Sequence, residues 1–288
     1  MDAMPFVTLI IPAHNEEQRL PQTISSVKSF CNAQRQPCEV IVVDDGSTDK
    51  TRDVVMSASA SWASLRVVQG PHRGKGGAIR AGVLASHGQF IAIADADMSM
   101  PVHEFAQFNA NVFSQCDIAI ATREGPGAHR YNESILRHLM GRIFNAMVQA
   151  MVLPGIKDTQ CGFKVLPRQV ALELCRQQSI DGWGFDVEWL VIALKHGYRI
   201  GEVPINWYHD GKGSQISPLR DSMRMMRDLW MIRKNLLRGK YDPDSGDDAP
   251  DYWRESDLVG TEKRLAVAGK GKDVSEAAVG QIGTAGSK

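Results

Sequence analysis

The chain has no net formal charge, 33 basic residues standing against 33 acidic ones among 288. That balance gives a nucleic-acid partner nothing to grip. Cysteine is scarce: Cys31, Cys38, Cys116, Cys161 and Cys175 make an odd set of 5 with no C-x-x-C pair. Such a set excludes a disulfide framework or a zinc site and points to reduced thiols in the cytosol. No apolar stretch reaches the roughly 18–20 residues of a membrane span. Residues 1–5 put no basic segment before the short apolar run 6–11, so no signal peptide is expected. No G-x-G-x-x-G follows that run, which disfavours a dinucleotide-dependent dehydrogenase. His14, His72, His129 and His209 lack metal-ligand spacing and read as loop or surface residues. Internal repeats are absent too. The expectation is a cytoplasmic protein, free in solution or peripheral on the cytoplasmic face of a membrane.

What is present begins with Ile91-Ala92-Ile93-Ala94-Asp95-Ala96-Asp97, an apolar run ending in two carboxylates. Its length and lack of alternation read as a buried strand. Strand side chains repeat every two residues, so Asp95 and Asp97 would point the same way at its carboxyl end. Ligands bind at that edge of an open α/β sheet. Two hard oxygen ligands there suit Mg²⁺ or Mn²⁺ bridging the phosphates of a nucleotide. A turn bearing two solvated acids is the blander alternative, and D-x-D alone does not separate the two.

Similar runs recur along the first half. Residues 6–11 and 39–43 are β-branched strands, 65–68 a third and 117–122 a later one. Helices are expected over 20–30, from near Asp49 with Ser47 or Thr48 as cap, and over 76–86. Strand–helix alternation at this spacing implies an α/β fold with a mostly parallel central sheet. Loops 12–16, 44–45 and 95–97 then meet at one rim. Asp45 could accept from a pyrimidine N3–H there, or with Asp44 simply make a turn. Arg73-Gly74-Lys75-Gly76-Gly77 offers a flexible backbone and two cations to a phosphate, without the full P-loop order.

Beyond residue 123 the pattern becomes more helical. Residues 134–153 carry a broad apolar face, read first as a core helix and second as a helix in a membrane interface. Residues 158–164 read as a polar loop, 172–176 as part of a short helix and 186–196 as a helix burying Val187, Leu190, Val191 and Leu194. Residues 199–205 read as an edge strand ended by Pro204. Residues 219–240 form a basic amphipathic helix with one Trp, at home on a membrane surface or on a core. The expected organisation is one domain over 1–240, divided into a 5–123 half and a 124–240 half. Residues 241–288 are expected to be a disordered tail with Tyr252-Trp253 as its candidate anchor.

The segments 10–17 (Ile-Ile-Pro-Ala-His-Asn-Glu-Glu), 42–47 (Val-Val-Asp-Asp-Gly-Ser) and 94–97 together resemble family-2 inverting glycosyltransferases of GT-A fold. Segments 73–78, 158–164 (Asp-Thr-Gln-Cys-Gly-Phe-Lys), 183–188 (Trp-Gly-Phe-Asp-Val-Glu), 203–207 and 213–214 narrow the resemblance to the dolichyl/polyprenyl-phosphate β-glucosyltransferase branch, over about residues 5–240. The resemblance implies that Pro12, Ala13, Glu16 and Asp45 hold the base and ribose of a nucleotide-sugar donor. Arg73, Lys75, Asp95, Ala96 and Arg123 would line its phosphates or the acceptor phosphate. Asp95 and Asp97 would hold Mg²⁺ or Mn²⁺, and Asp158 would lie near the transferred sugar. Asp97, Asp158 and Asp186, the last in the acceptor-side motif, are the implied catalytic residues.

The implied reaction moves a hexose, glucose from UDP-glucose first, to a dolichyl or polyprenyl phosphate. Polyprenyl-phosphate mannosyltransferases often place Gln two residues after the second Asp. Ser99 stands there in this chain, which weakens the GDP-mannose reading. The hydrophobic anchor segments of many relatives are absent, so contact with a membrane would rest on residues 134–153 and 219–240. The competing readings are a soluble or polysaccharide acceptor, and a sugar-nucleotide-binding scaffold without turnover.

Overall fold

The computed structural model describes residues 4–209, 218–243 and 245, with the side chains of 218–222 excepted. In chain order the elements are β1 (Val7–Ala13), α1 (Leu20–Ala33), β2 (Cys38–Asp45), α2 (Thr51–Ser59), β3 (Leu65–Gly70), α3 (Lys75–Ala85) and β4 (Phe90–Ile93). After a 3-10 turn (Val102–Gln107) come α4 (Ala110–Phe113), β5 (Ile118–Thr122), β6 (His129–Tyr131), α5 (Ile135–Met151), β7 (Lys164–Pro167) and α6 (Arg168–Gln177). The last elements are α7 (Phe185–Lys195), β8 (Ile200–Pro204), β9 (Asn206–Tyr208) and α8 (Pro218–Leu237).

Seven strands form one sheet in the order β3-β2-β1-β4-β7-β5-β8, and β6 pairs with β9 in a small separate sheet. Parallel pairing sets Ile10 opposite both Ile41 and Ile93. Both faces are covered, which is why the strands read as unbroken apolar runs. Ile10, Ile41, Val43, Ile91 and Ile93 pack toward α3, α6 and α7 on one face. Leu9, Ile11, Val40, Val42 and Ala92 pack toward α1 and the 3-10 turn on the other. As expected, β8 is an edge strand.

Several expectations are corrected. Residues 164–167, the first of them read as loop, form β7, which runs antiparallel between β4 and β5. Four residues are too few to show a period, and this strand makes the sheet mixed. β4 stops at Ile93, so Asp95 and Asp97 lie in the following turn and do not share a strand face. Helix α2 begins at Thr51, two residues past Asp49, with Lys50 as its N-cap residue, and Asp49 Oδ1 accepts from Thr51 N at 2.9 Å. Ser47 Oγ accepts from Asn15 N at 2.9 Å instead. Helix α7 is buried all round rather than on one side, while Leu194 at its end is exposed.

The largest correction concerns α5. It is not a core helix: Ile135, Leu136, Leu139, Met140 and Ile143 are all exposed, and of its side chains Asn145 and Val148 are buried. Past residue 240 the described chain still packs on the domain. Tyr241 is fully buried with its hydroxyl donating to Glu188 at 2.7 Å, and Gln177 Nε2 donates to Ser245 Oγ at 3.1 Å. The rest of the expected tail, with Tyr252 and Trp253, lies outside the described residues, as do Gly213 and Ser214.

Candidate active site

The carboxyl ends of β1 and β2 lie in register, Pro12 opposite Val43 and Ala13 opposite Asp44. The loop after β1 is pinned to the start of α2, Glu16 N donating to Thr51 Oγ1 at 2.8 Å. Arg19 grips both oxygens of Glu16 at 3.1 and 3.0 Å. Burial pushes the Glu16 carboxyl above the usual range against the pull of Arg19, and the nearby Asp97 charge adds to the rise. Asp44 is a turn residue, accepting from Ser47 N at 2.9 Å. Asp45 does more: its two oxygens accept from Arg73 N at 2.9 Å and Gly74 N at 2.8 Å, tying the glycine-rich loop to the end of β2. Burial still pushes its carboxyl upward.

His14 and His72, read as independent loop residues, converge here. Both Nδ1 groups reach the Asp45 carbonyl oxygen, at 2.9 and 3.0 Å, and the rings stack with centroids 4.1 Å apart. Because the shared partner is an acceptor, both imidazoles donate from Nδ1. Their separation of 58 positions in sequence hides the pair from any reading of spacing.

Asp95 sits at the centre of a charge cluster. Lys75, the first residue of α3, lies 2.6 Å from Asp95 Oδ1 and 5.1 Å above the Trp183 ring. Burial raises the Asp95 pKa, but Lys75, then Lys164 and Arg123, outweigh it and hold the carboxyl below its ordinary value. Burial likewise disfavours the Lys75 ammonium, and Asp95 with Asp186 and Asp97 reverses this, lifting it to about 12. Gly162 presses on Asp95 so closely that a Cβ there would lie 2.2 Å from Oδ2, so any side chain at residue 162 would have to displace the Asp95 carboxylate. Asp97 is exposed, and its Oδ1 accepts from Ser99 N at 2.9 Å. Ala96 is buried between them, its carbonyl accepting from Thr23 Oγ1 at 2.6 Å.

Arg123, just beyond β5, makes a two-pronged pair with Asp158: Nε to Oδ2 at 2.8 Å and Nη2 to Oδ1 at 2.9 Å, with Arg123 N also donating to Oδ2 at 2.9 Å. Burial opposes the Asp158 charge, yet Arg123 overcomes it and holds the carboxyl at about 2. Trp207 lies under the Arg123 guanidinium at 5.2 Å. Two residues that sequence reasoning missed fix the Asp158 loop. Asn145 of α5 donates to the carbonyls of Ile156 and Lys157, and Glu202 of β8 accepts from Lys157 N and Asp158 N. Glu124 ties the site to α5, lying 3.5 Å from Arg142 and 3.9 Å from His138.

Asp186, expected among the reacting groups, lies beneath the rim. It is 3% exposed and bonded to Lys164 Nζ, which also donates to Cys161 O at 2.8 Å. Its charge reaches the Asp95 cluster through Lys164 and Lys75. Lys164 carried no sequence signal beyond its place after Gly162 and Phe163. Cys161 is buried, and burial lifts its thiol to about 11.

The mixed α/β sheet, with basic and acidic side chains gathered at its carboxyl rim, has the architecture of the GT-A fold. The same architecture is seen in glucosyl-3-phosphoglycerate synthase from Mycobacterium tuberculosis, crystallised with Mn²⁺, UDP-glucose and phosphoglyceric acid. The TM-score is 0.60 at 20% identity over 84% of this chain and 82% of that one. The model of Glycosyl transferase family 2 matches residues 8–175, and the chain belongs to that family. It is 34% identical over 255 residues to dolichyl-phosphate beta-glucosyltransferase of Dictyostelium discoideum, covering 81% of this chain and 76% of that protein. The enzyme of the same name from Homo sapiens is 35% identical over 250 residues, covering 82% and 77%.

Proposed function

We propose that this transferase moves glucose from UDP-glucose to a dolichyl or other polyprenyl phosphate at a membrane surface, inverting the anomeric carbon. The observation that carries the reading is adjacency: the Arg123–Asp158 clamp is joined through Glu124 to α5, whose exposed side bears five large apolar side chains. An anionic acceptor head and its apolar tail would need those two surfaces side by side. The names of the relatives at 34% and 35% identity support the same donor and acceptor.

In this reading Pro12, Ala13, Glu16 and Asp45 hold the base and ribose, while Arg73, Lys75 and Ala96 line the diphosphate. Asp95 and Asp97 would hold Mg²⁺ or Mn²⁺. The donor set fits: two hard carboxylates are present, and among the described residues no third His, Cys, Asp or Glu joins them. An ion that takes one or two carboxylates and completes its shell from phosphates and water suits such a pair. When bound, it would supply positive charge to the departing diphosphate. Arg123 orients the acceptor phosphate, which is already an anionic nucleophile near neutral pH. Its oxygen forms the new bond to C1 as the bond to the nucleoside diphosphate breaks and the electron pair leaves with that diphosphate. No proton has to be removed, and a carboxyl held at about 2 would make a poor base. Asp158 is a positioning residue for Arg123. Ser99, buried with its carbonyl accepting from Tyr208 N at 2.7 Å, offers no amide to a metal, which favours glucose over mannose.

A donor screen with the purified chain, Mg²⁺ or Mn²⁺ and a short polyprenyl phosphate tests the assignment. Extractable lipid-linked sugar is expected from UDP-glucose and not from GDP-mannose or UDP-N-acetylglucosamine, and Asp97→Ala is expected to remove it. Donor hydrolysis without lipid product would instead sink the acceptor.

Among the described residues no helix is long and apolar enough to cross a membrane. Contact with the cytoplasmic face would then be peripheral, through α5. Leu136 and Ile143 are 68% and 53% exposed. Replacing both with Ser is expected to cost about 3 kcal/mol of bilayer partitioning, roughly a hundredfold. Vesicle co-sedimentation reads this, and transfer to a detergent-dispersed acceptor should survive. Undiminished sedimentation would place the contact elsewhere.

A further inference from the structure

We propose that the far end of α8 forms a binding site for an anionic phospholipid of the bilayer, apart from the reaction site. The inference rests on the membrane-surface reading above and adds a ligand to it. Exposed Met223, Met226, Trp230 and Leu237 are spaced along one side of α8. Intervals of three, four and seven residues keep them within about 60° of one another on a helix of 3.6 residues per turn. Near the end of this stripe Trp230 and Leu237 line an apolar groove of about 320 Å³, completed by the stems of Arg233, Lys234 and Arg238. Long basic side chains lie along apolar surface in this way while their charges reach outward.

Arg238 is also a wall of a second, basic cavity of about 470 Å³, lined by Arg176, Lys240, Gln177 and Asn235 among others. Arg176, Arg238 and Lys240 are ion-paired to no carboxylate among the described residues, whereas the neighbouring Asp242 is already taken by Lys195 at 3.0 Å. Three cations gathered around a hollow suit a phosphate. A groove for an acyl chain opening beside a pocket for a phosphate, with one arginine between them, matches an amphiphile whose charge and tail are adjacent. The site therefore selects a phosphomonoester or phosphodiester lipid, its head in the cavity and one chain beside Trp230.

The test titrates the full chain with dihexanoyl phosphatidic acid below its micelle threshold, following tryptophan fluorescence, with Trp230→Phe to assign the signal. Binding is expected to saturate and to weaken roughly tenfold in Arg176→Gln/Arg238→Gln, each juxtamembrane cation contributing several-fold. The far-side pair Arg35→Gln/Arg52→Gln is expected to leave it unchanged. Sedimentation with phosphatidylcholine vesicles, with and without phosphatidic acid, should show the same order. Equal weakening in both pairs would reduce the effect to general attraction, and displacement by an equal concentration of inorganic phosphate would make it a free-phosphate site; either overturns the proposal. Transfer to detergent-dispersed acceptor, assayed in parallel, should persist in Arg176→Gln/Arg238→Gln. If the parent chain transfers nothing, the transferase assignment falls while the titration still decides this one.

Discussion

Asp158→Asn is expected to abolish most turnover and to leave UDP-glucose binding close to that of the parent chain. The carboxylate is 5% exposed and meets Arg123 through two side-chain hydrogen bonds and one from the backbone. An amide of the same shape keeps one acceptor and turns an NH₂ toward a guanidinium that is itself only a donor. Arg123 would keep its place over Trp207 poorly without that partner. Removing one member of a buried pair costs about 3–5 kcal/mol. Stability carries a second signature. The native carboxyl, at about 2, lies below its unfolded value near 4, so the pair stabilises the chain fully above about pH 4. That contribution fades as pH falls toward 2. Denaturant unfolding should therefore separate the parent chain from Asp158→Asn most widely at neutral pH, with the gap closing below pH 4. A constant gap would show that the charge is not what matters. Equal losses in donor affinity and turnover would place Asp158 on the donor instead of on Arg123.

The strand runs were legible because both faces of the sheet are covered, so Ile10, Ile41 and Ile93 needed no alternation to be recognised. The rim residues were legible as types of chemistry. Their partners were not, because partners come from distant sequence. Lys75 meets Asp95, Arg123 meets Asp158 across 35 positions, and His14 meets His72. The antiparallel β7 was hidden by its length, and its Lys164 by an apolar setting that would not ordinarily admit a lysine. α5 misled for a physical reason. A broad apolar face at helical spacing says that the face must leave water, without saying whether protein or lipid covers it. Only the burial pattern separates those cases, and there Ile135 is 88% exposed.

Lys164→Met alone is expected to lower the melting temperature by about 10 °C, because it strands Asp186 without a counter-charge in the core. Asp186→Val alone should do comparable damage by stranding the lysine. The double variant should recover most of the loss, since a buried ion pair replaced by apolar groups is often neutral in stability. Function is expected to part company with stability at that point. Lys164 Nζ also donates to Cys161 O at 2.8 Å, immediately before the Gly162 that presses on Asp95. With that anchor gone the 161–162 segment can relax away from Asp95, and Lys75 has lost the Asp186 charge beyond it. A stable double variant whose donor dissociation constant rises about tenfold, roughly 1.4 kcal/mol, would show that the pair positions the diphosphate side of the site. A double variant with parent-like donor affinity would show the reverse, that the buried pair serves the fold alone and that Asp95 is held by Lys75 without help from beneath.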